Sequence, residues 1–274
     1  CELDWKRLEK LNDWHYPNQT EAIGGVGTTG ESSTISFAEH KKVIEQAVKY
    51  SSGKIPIIAG TGANSTVEAI ELTRSASEAG ADACLLVTPY YNKPSQEGLF
   101  AHFSEIAKRT EKPIVLYSIP SRCGIEISTD TVKRLRENHP HICALKEAGG
   151  RSSKVSETVV ALDSDFNVLS GDDGLTLPFM ACGAKGVVSV ASNLIPQEVV
   201  SLVSFALEGK FIDAQKIHLE NYNFFTDIFC EPNPVPIKTL LHLKNVISSA
   251  EVRLPLSPVS DPNKQLLEKI ASDL

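Results

Sequence analysis

Short apolar runs alternate with stretches of helical periodicity along the first two thirds of the chain. The runs begin near residues 22, 55, 82, 113, 142, 166 and 184, so successive starts lie about 18 to 33 residues apart. Between them, apolar residues recur at helical spacing, as at Phe37, Ile44 and Val48. The runs are almost entirely apolar, which is typical of strands covered on both faces. The pattern therefore predicts βαβ units around a parallel sheet.

The number of apolar runs favours a closed barrel. A helical stretch with Trp5, Leu8 and Leu11 precedes the first of the seven runs. Eight strands close a (β/α)8 ring, so we predict an α/β TIM barrel whose first strand is missing before Cys1. An open doubly wound sheet is the alternative, since it favours a GxGxxG phosphate loop after its first strand. Gly25, Gly27 and Gly30 have that spacing, so the glycines by themselves leave this alternative open.

No strand-like run follows Val190, and the remaining residues have helical character. Helices are predicted over residues 196–207, 211–229, 236–246 and 265–270. The prolines at 232, 234 and 236 fix φ and remove donors, so they make a stiff break within this region. We predict a barrel domain over residues 1–195 and a C-terminal helical domain over residues 196–274.

Charge and composition narrow the class of protein. The formal net charge of −7 is spread along the chain, without the basic stripe of a nucleic-acid-binding protein. No apolar run approaches the length of a membrane span. The six cysteines are scattered without a CxxC pair, and the histidines form no HExxH motif. We therefore expect no metal site and a reducing, cytoplasmic location, since no secretory segment is visible.

Lys146 is the first candidate for chemistry. It follows the apolar run that begins at Ile142, and Gly149 and Gly150 break the chain soon after it. In a parallel barrel this end of a strand carries the active site. Burial disfavours the charged form of an amine, and a neutral amine can attack a ketone to form a Schiff base. The alternative is a surface lysine that merely closes a strand.

Other reactive side chains also follow the strand-like runs, and a barrel would bring them to one mouth. Phenols and hydroxyls can relay protons, and an arginine can grip a carboxylate through two parallel bonds, so the set suits Schiff-base chemistry on an α-keto acid. Each residue also has a structural alternative, as a packing aromatic, a helix cap, a surface ion pair or a turn. The set comprises Thr28, Thr29, Tyr90, Tyr91, Tyr117, Arg122, Lys146, Gly171, Asp172 and Val188.

Six motifs follow one another along essentially the whole chain: GTTGES at 27–32, TPYYN at 88–92, Tyr117 with PSR at 120–122, KEA at 146–148, SGDD at 170–173 and EPNP at 231–234. In their order and spacing they resemble the dihydrodipicolinate synthase (4-hydroxy-tetrahydrodipicolinate synthase) family. The resemblance implies a TIM barrel with a C-terminal helical domain. It implies a lyase that condenses pyruvate with L-aspartate-4-semialdehyde in diaminopimelate and lysine biosynthesis. It also implies a homotetramer, built as a dimer of dimers, without metal or organic cofactor.

The family pattern implies a role for each candidate residue. A Schiff base with pyruvate is implied at Lys146, with Tyr117 as the general acid/base. A proton relay would be completed by Thr28 and by Tyr91, which would reach in from a neighbouring subunit. The implied substrate-binding groups are Thr29, the backbone at Val188, Gly171 and Arg122, the last of which would grip the carboxylate of the semialdehyde.

Two other functions are alternatives. N-acetylneuraminate lyase resembles the chain in fold and imine chemistry, but that branch usually has a serine at the position of Thr28 and lacks the arginine after Pro-Ser. A pyruvate-dependent sugar-acid aldolase is therefore the runner-up, and a non-catalytic barrel is the second class. Ser118 stands where the synthases usually have asparagine, and Cys123 where threonine is common, so substrate affinity could differ.

Five residues match a site at which many bacterial and plant members of the family bind lysine, at the dimer interface. The alternative is that these residues only pack a dimer, because regulation requires differential binding between states. The five are Ser32, His40, Asn64, Glu68 and Tyr90.

Overall fold

The computed structural model describes residues 2–274 and contains a six-stranded parallel sheet. Its strands lie side by side in chain order, and every neighbouring pair is parallel. The sheet curls into a half barrel, with the carboxyl ends of its strands at one edge. The strands are β1 Ile23–Gly25, β2 Ile57–Gly60, β3 Ala83–Val87, β4 Ile114–Ser118, β5 Ile142–Glu147 and β6 Asn167–Ser170.

Helices connect the strands and then form a separate group at the carboxyl end of the chain. No helix among residues 2–274 is long and apolar enough to cross a membrane. The helices are α1 Trp5–His15, α2 Phe37–Ser51, α3 Thr66–Ala79, α4 Gln96–Ala107, α5 Pro120–Cys123, α6 Thr129–Asn138, α7 Ser152–Ala161, α8 Thr176–Ala181, α9 Pro196–Leu207, α10 Phe211–Asp227, α11 Val235–Leu243 and α12 Asp261–Asp273, with a 3-10 turn at Ala191–Asn193.

The seventh predicted strand is reduced to one bridge. Ser170 donates its N–H to Gly186 O and accepts the N–H of Val188, both at 2.8 Å, so the segment runs parallel to β6. The pairing ends there because the carboxylate of Asp173 takes the N–H groups of Val190 and the next residue. The prediction of a strand up to Val190 was therefore wrong in length. The strand predicted before Cys1 falls outside the described residues.

Side-chain caps decide where several helices begin. Ser65 caps α3, and Gly80 closes that helix in the left-handed region with φ of +93°, where a glycine has no Cβ penalty. Ser128 caps α6, where its side chain accepts the N–H of Thr131. The last helix is longer than predicted and runs over Asp261–Asp273.

The C-terminal helices share a core with the end of the barrel. Leu202, Phe225 and Leu240 belong to one buried cluster that also contains Ala191 and Ile195. Each fully buried side chain of this kind contributes about 1.5–3 kcal/mol. The apolar cluster thus runs across the domain boundary expected at residues 195 and 196, and the division at that point stays a prediction.

Candidate active site

Two neighbouring strands place Lys146 beside Tyr117. The register of β4 and β5 pairs these two residues, so their side chains leave the sheet on the same face. Leu116 points the other way and packs in the cluster that contains the helices, whereas Val115 and Tyr117 belong to a separate cluster on the inner face. Lys146 Nζ lies 3.9 Å from the centroid of the Tyr117 ring. The predicted amine therefore faces the barrel interior, and the alternative of a surface lysine was wrong.

The surroundings of Lys146 favour its neutral form. Burial lowers the pKa of its amine to about 8, the charge of Asp173 opposes that shift, and the guanidinium of Arg122 adds to it. An amine with that pKa is about one-tenth neutral at pH 7, against less than about one in a thousand for an ordinary lysine. The side chain can therefore act as a nucleophile near neutral pH.

Tyr117 remains a proton donor in the same environment. The residue is 7% exposed, and burial raises the pKa of its phenol to about 12. The charge of Arg122 and a side-chain hydrogen bond with Thr28 lower that pKa in part. The phenol thus stays protonated at neutral pH and can donate a proton or a hydrogen bond beside the amine.

The loop after β1 holds the two predicted threonines free of helix capping. Ser36 begins α2 with a capping box, in which its hydroxyl accepts the N–H of Glu39 and that carboxylate accepts the N–H of Ser36. The alternative that Thr28 or Thr29 caps this helix was therefore wrong. Thr29 Oγ1 instead accepts a hydrogen bond from Asn233 Nδ2 at 3.0 Å.

Asn233 joins two predicted site residues from the far end of the chain. Its backbone carbonyl accepts a hydrogen bond from Arg122 Nη2 at 3.3 Å, while its side chain holds Thr29. The asparagine is buried, whereas the arginine is exposed at the mouth. Sequence reasoning treated the EPNP motif as a stiff break and missed this role. Its signal was the asparagine between two prolines, but its partners lie 111 and 204 residues away.

The space at residue 171 admits only a glycine. A Cβ at this position would lie 2.7 Å from Ala148 Cβ and 3.1 Å from Lys146 Cε. Its N–H donates to Glu147 O at 2.8 Å, which fixes the loop after β6 against the end of β5. The interpretation of Gly171 as a simple turn therefore does not explain its position, because the missing Cβ leaves space for the Lys146 side chain.

Val188 and Asp173 are fixed by hydrogen bonds near the end of β6. The N–H of Val188 is committed to Ser170 O, so only its carbonyl is left for a ligand. Asp173 is 3% exposed and binds the turn that follows, through Ser189 and two backbone N–H groups. The SGDD motif at 170–173 contains this aspartate, but no role was predicted for its side chain.

Tyr91 lies apart from these groups within the chain. It is 91% exposed and has a φ of +73°, which is uncommon and strained for a bulky residue. It makes no side-chain hydrogen bond within residues 2–274. Tyr90 is 39% exposed, and Asn64 Nδ2 donates to its backbone carbonyl at 3.2 Å. Asn64 thus holds the backbone of this loop, while the Tyr91 side chain is exposed.

Four of the five residues of the expected lysine site lie together. The charge of Glu68 raises the pKa of both His40 and Tyr90, while burial, the larger effect, lowers the pKa of the histidine and raises that of the phenol. His40 Nε2 lies 2.7 Å from Gly60 O, and Asn64 is bonded to the backbone of Tyr90. Ser32 lies in the turn after the threonine pair, and no hydrogen bond within residues 2–274 joins it to the other four.

The two departures from the family pattern are both buried. Ser118 faces away from Tyr117, and its hydroxyl has no hydrogen-bond partner within residues 2–274. Cys123 follows Arg122, and burial raises the pKa of its thiol.

Comparison with known proteins places the chain in a family. The model of the dihydrodipicolinate synthetase family matches residues 1–274. A 4-hydroxy-tetrahydrodipicolinate synthase from Sulfurihydrogenibium sp. (strain YO3AOP1) is 51% identical over 268 residues, which cover 98% of this chain and 92% of that protein. The protein of the same name from Aquifex aeolicus (strain VF5) is 48% identical over 269 residues, with coverage of 98% and 91%. These names do not favour the sugar-acid aldolase.

Solved structures agree with the family model. Dihydrodipicolinate synthase from Aquifex aeolicus has a TM-score of 0.98 at 47% identity, covering 99% of this chain and 92% of its own. The chloride-inhibited synthase from Acinetobacter baumannii, complexed with pyruvate, has a TM-score of 0.95 at 43% identity, with coverage of 99% and 92%. The synthase from Cyanidioschyzon merolae with lysine bound has a TM-score of 0.96 at 38% identity, with coverage of 100% and 93%.

These similarities confirm the predicted TIM-barrel fold, the lyase class and the synthase reaction. The order of the motifs, the full-length match and the superposition all lead to one assignment. The chain belongs to the dihydrodipicolinate synthetase family.

Proposed function

We propose that Lys146 forms a Schiff base with pyruvate, and that this adduct condenses with L-aspartate-4-semialdehyde. The observation that carries the proposal is the contact between the Lys146 amine and the Tyr117 ring, 3.9 Å apart on the inner face of the barrel. Burial lowers the pKa of that amine to about 8 and leaves the phenol protonated. The pyruvate complex of a relative with the same fold supports the choice of keto acid.

The neutral amine of Lys146 attacks the ketone carbon, and the carbonyl oxygen leaves as water once it is protonated. Tyr117 supplies that proton, and its hydrogen bond with Thr28 begins a relay. The resulting iminium draws electrons from the neighbouring methyl group, which loses a proton to the Tyr117 phenolate and becomes the carbon nucleophile. Because the iminium is itself the electron sink, we propose that the reaction uses no metal or organic cofactor.

The substrate-binding groups have distinct positions. Thr29, braced by Asn233, and the carbonyl of Val188 lie on the pyruvate side of the site in this proposal. Arg122 is exposed at the mouth and keeps donors free beyond its bond to the Asn233 carbonyl, so it can grip the carboxylate of the semialdehyde. We also propose that Tyr91 completes the relay in a neighbouring subunit of a dimer of dimers.

Borohydride reduction in the presence of pyruvate tests the Schiff base directly. We expect a mass gain on the peptide that contains Lys146 and none in Lys146→Arg. Lys154 is the internal control, because it is 3% exposed, more buried than Lys146, but its Nζ donates to Ile127 O at 3.0 Å. Absence of an adduct, or an adduct on Lys154 instead, contradicts the proposal.

Turnover with two aldehydes tests the second substrate. We expect activity with pyruvate plus aspartate-4-semialdehyde and little with pyruvate plus N-acetylmannosamine. In Arg122→Ala, imine trapping should remain while the KM for the semialdehyde rises. Normal kinetics with both substrates in this variant would remove the carboxylate-clamp role.

A second function, inhibition by lysine, is proposed for the group around Glu68. The charge of the Glu68 carboxylate raises the pKa of both His40 and Tyr90, so it lies close to both groups. A carboxylate is the kind of acceptor that an ammonium group requires, and a relative has lysine bound. Titration of L-lysine into the turnover assay should lower the rate, and Glu68→Gln should weaken the effect. An unchanged rate at millimolar lysine leaves these residues as dimer packing only.

A further inference from the structure

One buried acid next to the site has no part in the steps above. Asp173 is 3% exposed, although aspartate is almost never so buried unless it is paired. Its Oδ1 accepts a hydrogen bond from Ser189 Oγ, and its Oδ2 accepts the N–H of Val190 at 3.0 Å and of Ala191 at 3.2 Å. Burial raises the pKa of Asp173, but three donors point at its two oxygens and oppose that shift, which favours the ionised carboxylate.

The turn that Asp173 holds carries the predicted pyruvate-binding backbone. Val188, directly before this turn, is pinned by its N–H bond to Ser170 O at 2.8 Å. Ser189 Oγ also accepts the N–H of Ser192 at 2.8 Å, so the aspartate is the anchor of a short network. Loss of the anchor would free the segment that places the Val188 carbonyl.

Asp173 also acts on the amine through its charge. Burial and the charge of Arg122 lower the pKa of the Lys146 amine, and the negative charge of Asp173 raises it. The neighbouring phenol of Tyr117 stays neutral, because burial raises its pKa to about 12. Formation of an iminium leaves a fixed positive charge at this place, where the low dielectric makes an opposite charge valuable.

We propose that Asp173 is a positioning residue of the Schiff-base site, which anchors the turn at residues 188–191 and sets a negative charge toward the Lys146 iminium. This role presupposes the proposed Schiff-base reaction. The two are separable by experiment, because the wild-type chain must trap pyruvate on Lys146 whatever the role of the aspartate.

The test measures the rate of borohydride trapping of pyruvate on the full-length chain between pH 6 and 9.5. In Asp173→Asn, which keeps the shape and removes the charge, we expect the rate to fall by roughly 10- to 100-fold. The midpoint of the pH profile should also move below that of the wild type, because burial then acts on the amine unopposed. A purely structural role would change the folded fraction without moving this midpoint.

Two variants serve as matched controls. Ser189→Ala removes one of the three donors and keeps the charge, so we expect a smaller loss of rate and an unchanged midpoint. Asp172→Asn neutralises the adjacent carboxylate, whose Oδ1 accepts the N–H of Leu175 at 3.2 Å, and we expect both rate and midpoint of the wild type. If Asp173→Asn does not fold, Asp173→Glu replaces it and should lose rate while keeping the midpoint.

The outcomes are separable. A wild-type midpoint in Asp173→Asn, an equal shift in Asp172→Asn, or a shifted midpoint in Asp173→Glu overturns the role of Asp173 alone. Absence of an adduct on Lys146 in the wild type instead overturns the proposed function.

Discussion

Burial favours the uncharged form of both Lys146 and Tyr117, and the two neutral groups have different chemical uses. It lowers the pKa of the amine to about 8 and raises the pKa of the phenol to about 12. The neutral amine is a nucleophile, whereas the neutral phenol is a donor. At the residue scale, burial therefore favours both the nucleophile and the acid that the proposed mechanism requires.

The pH dependence of imine trapping follows from the lowered pKa of Lys146. Because only the neutral amine reacts, the rate should rise with pH and level off above the pKa of about 8. We expect about a fivefold rise from pH 7 to 8 and less than about twofold from pH 8 to 9. A rise of about tenfold per pH unit up to pH 10 would indicate an ordinary lysine.

Gly171 and Gly174 offer a matched pair in one loop. A Cβ at Gly171 would lie 3.1 Å from Lys146 Cε and closer still to Ala148 Cβ, whereas one at Gly174 meets nothing nearer than 3.4 Å. We expect Gly171→Ala to lower kcat by roughly 10²-fold through displacement of the lysine. Gly174→Ala should retain most activity, as steady-state kinetics can show. Equal effects of the two changes would mean that space beside the lysine is not the cause.

At the scale of elements, the segment between α10 and α11 matters as much as the strands. It brings Asn233 to the barrel mouth, where the side chain bonds Thr29 and the carbonyl bonds Arg122. The strand register supplies the lysine and the tyrosine, but this crossing segment orients the threonine and the arginine. The cap at Ser36 contributes by leaving the threonines free.

Truncation of the Asn233 side chain should separate the two substrates. Asn233→Ala removes the bond to Thr29 but keeps the backbone carbonyl that Arg122 uses. We expect the KM for pyruvate to rise roughly two- to tenfold, from the loss of about 0.5–1.5 kcal/mol, with a smaller change for the semialdehyde. Asn221→Ala, which loses only a bond within α10, is the control. A larger change in the KM for the semialdehyde than in that for pyruvate would contradict the assignment of the Asn233 side chain to the pyruvate side of the site.

At the scale of the whole molecule, the barrel and the C-terminal helices are joined by polar contacts as well as by a shared apolar cluster. Lys238 binds Glu31 at 2.5 Å, and Arg253 binds Glu39 at 2.7 Å, so α11 and the segment after it are tied to the loop after β1 and to α2. These pairs lie beside the threonine loop, which makes the helical part a support of the site. Tyr91 is 91% exposed, so its proposed place in the relay depends on a second copy of the chain.

Mixed oligomers test the proposed position of Tyr91. Tyr91→Ala and Lys146→Arg should each be impaired alone. After the two are unfolded and refolded together, a subunit with an intact lysine can receive the phenol of its partner. We expect activity to recover toward about a quarter of the wild type if exchange is random within dimers. No recovery in a mixture shown to contain hybrids would place Tyr91 in its own subunit's site or outside catalysis.

The sequence by itself determined the alternation of strands and helices, the barrel class and the identity of Lys146, Tyr117 and Arg122 as candidates. These follow from local periodicity and from the rule that strand ends share one mouth, which depend on neighbours in the chain. Only the tertiary structure decided which groups touch: the face that Lys146 occupies, the bonds of Asn233, the space at Gly171 and the burial of Asp173. Such contacts join residues far apart in sequence, and a buried charge or a close approach of side chains exists only once those segments have packed.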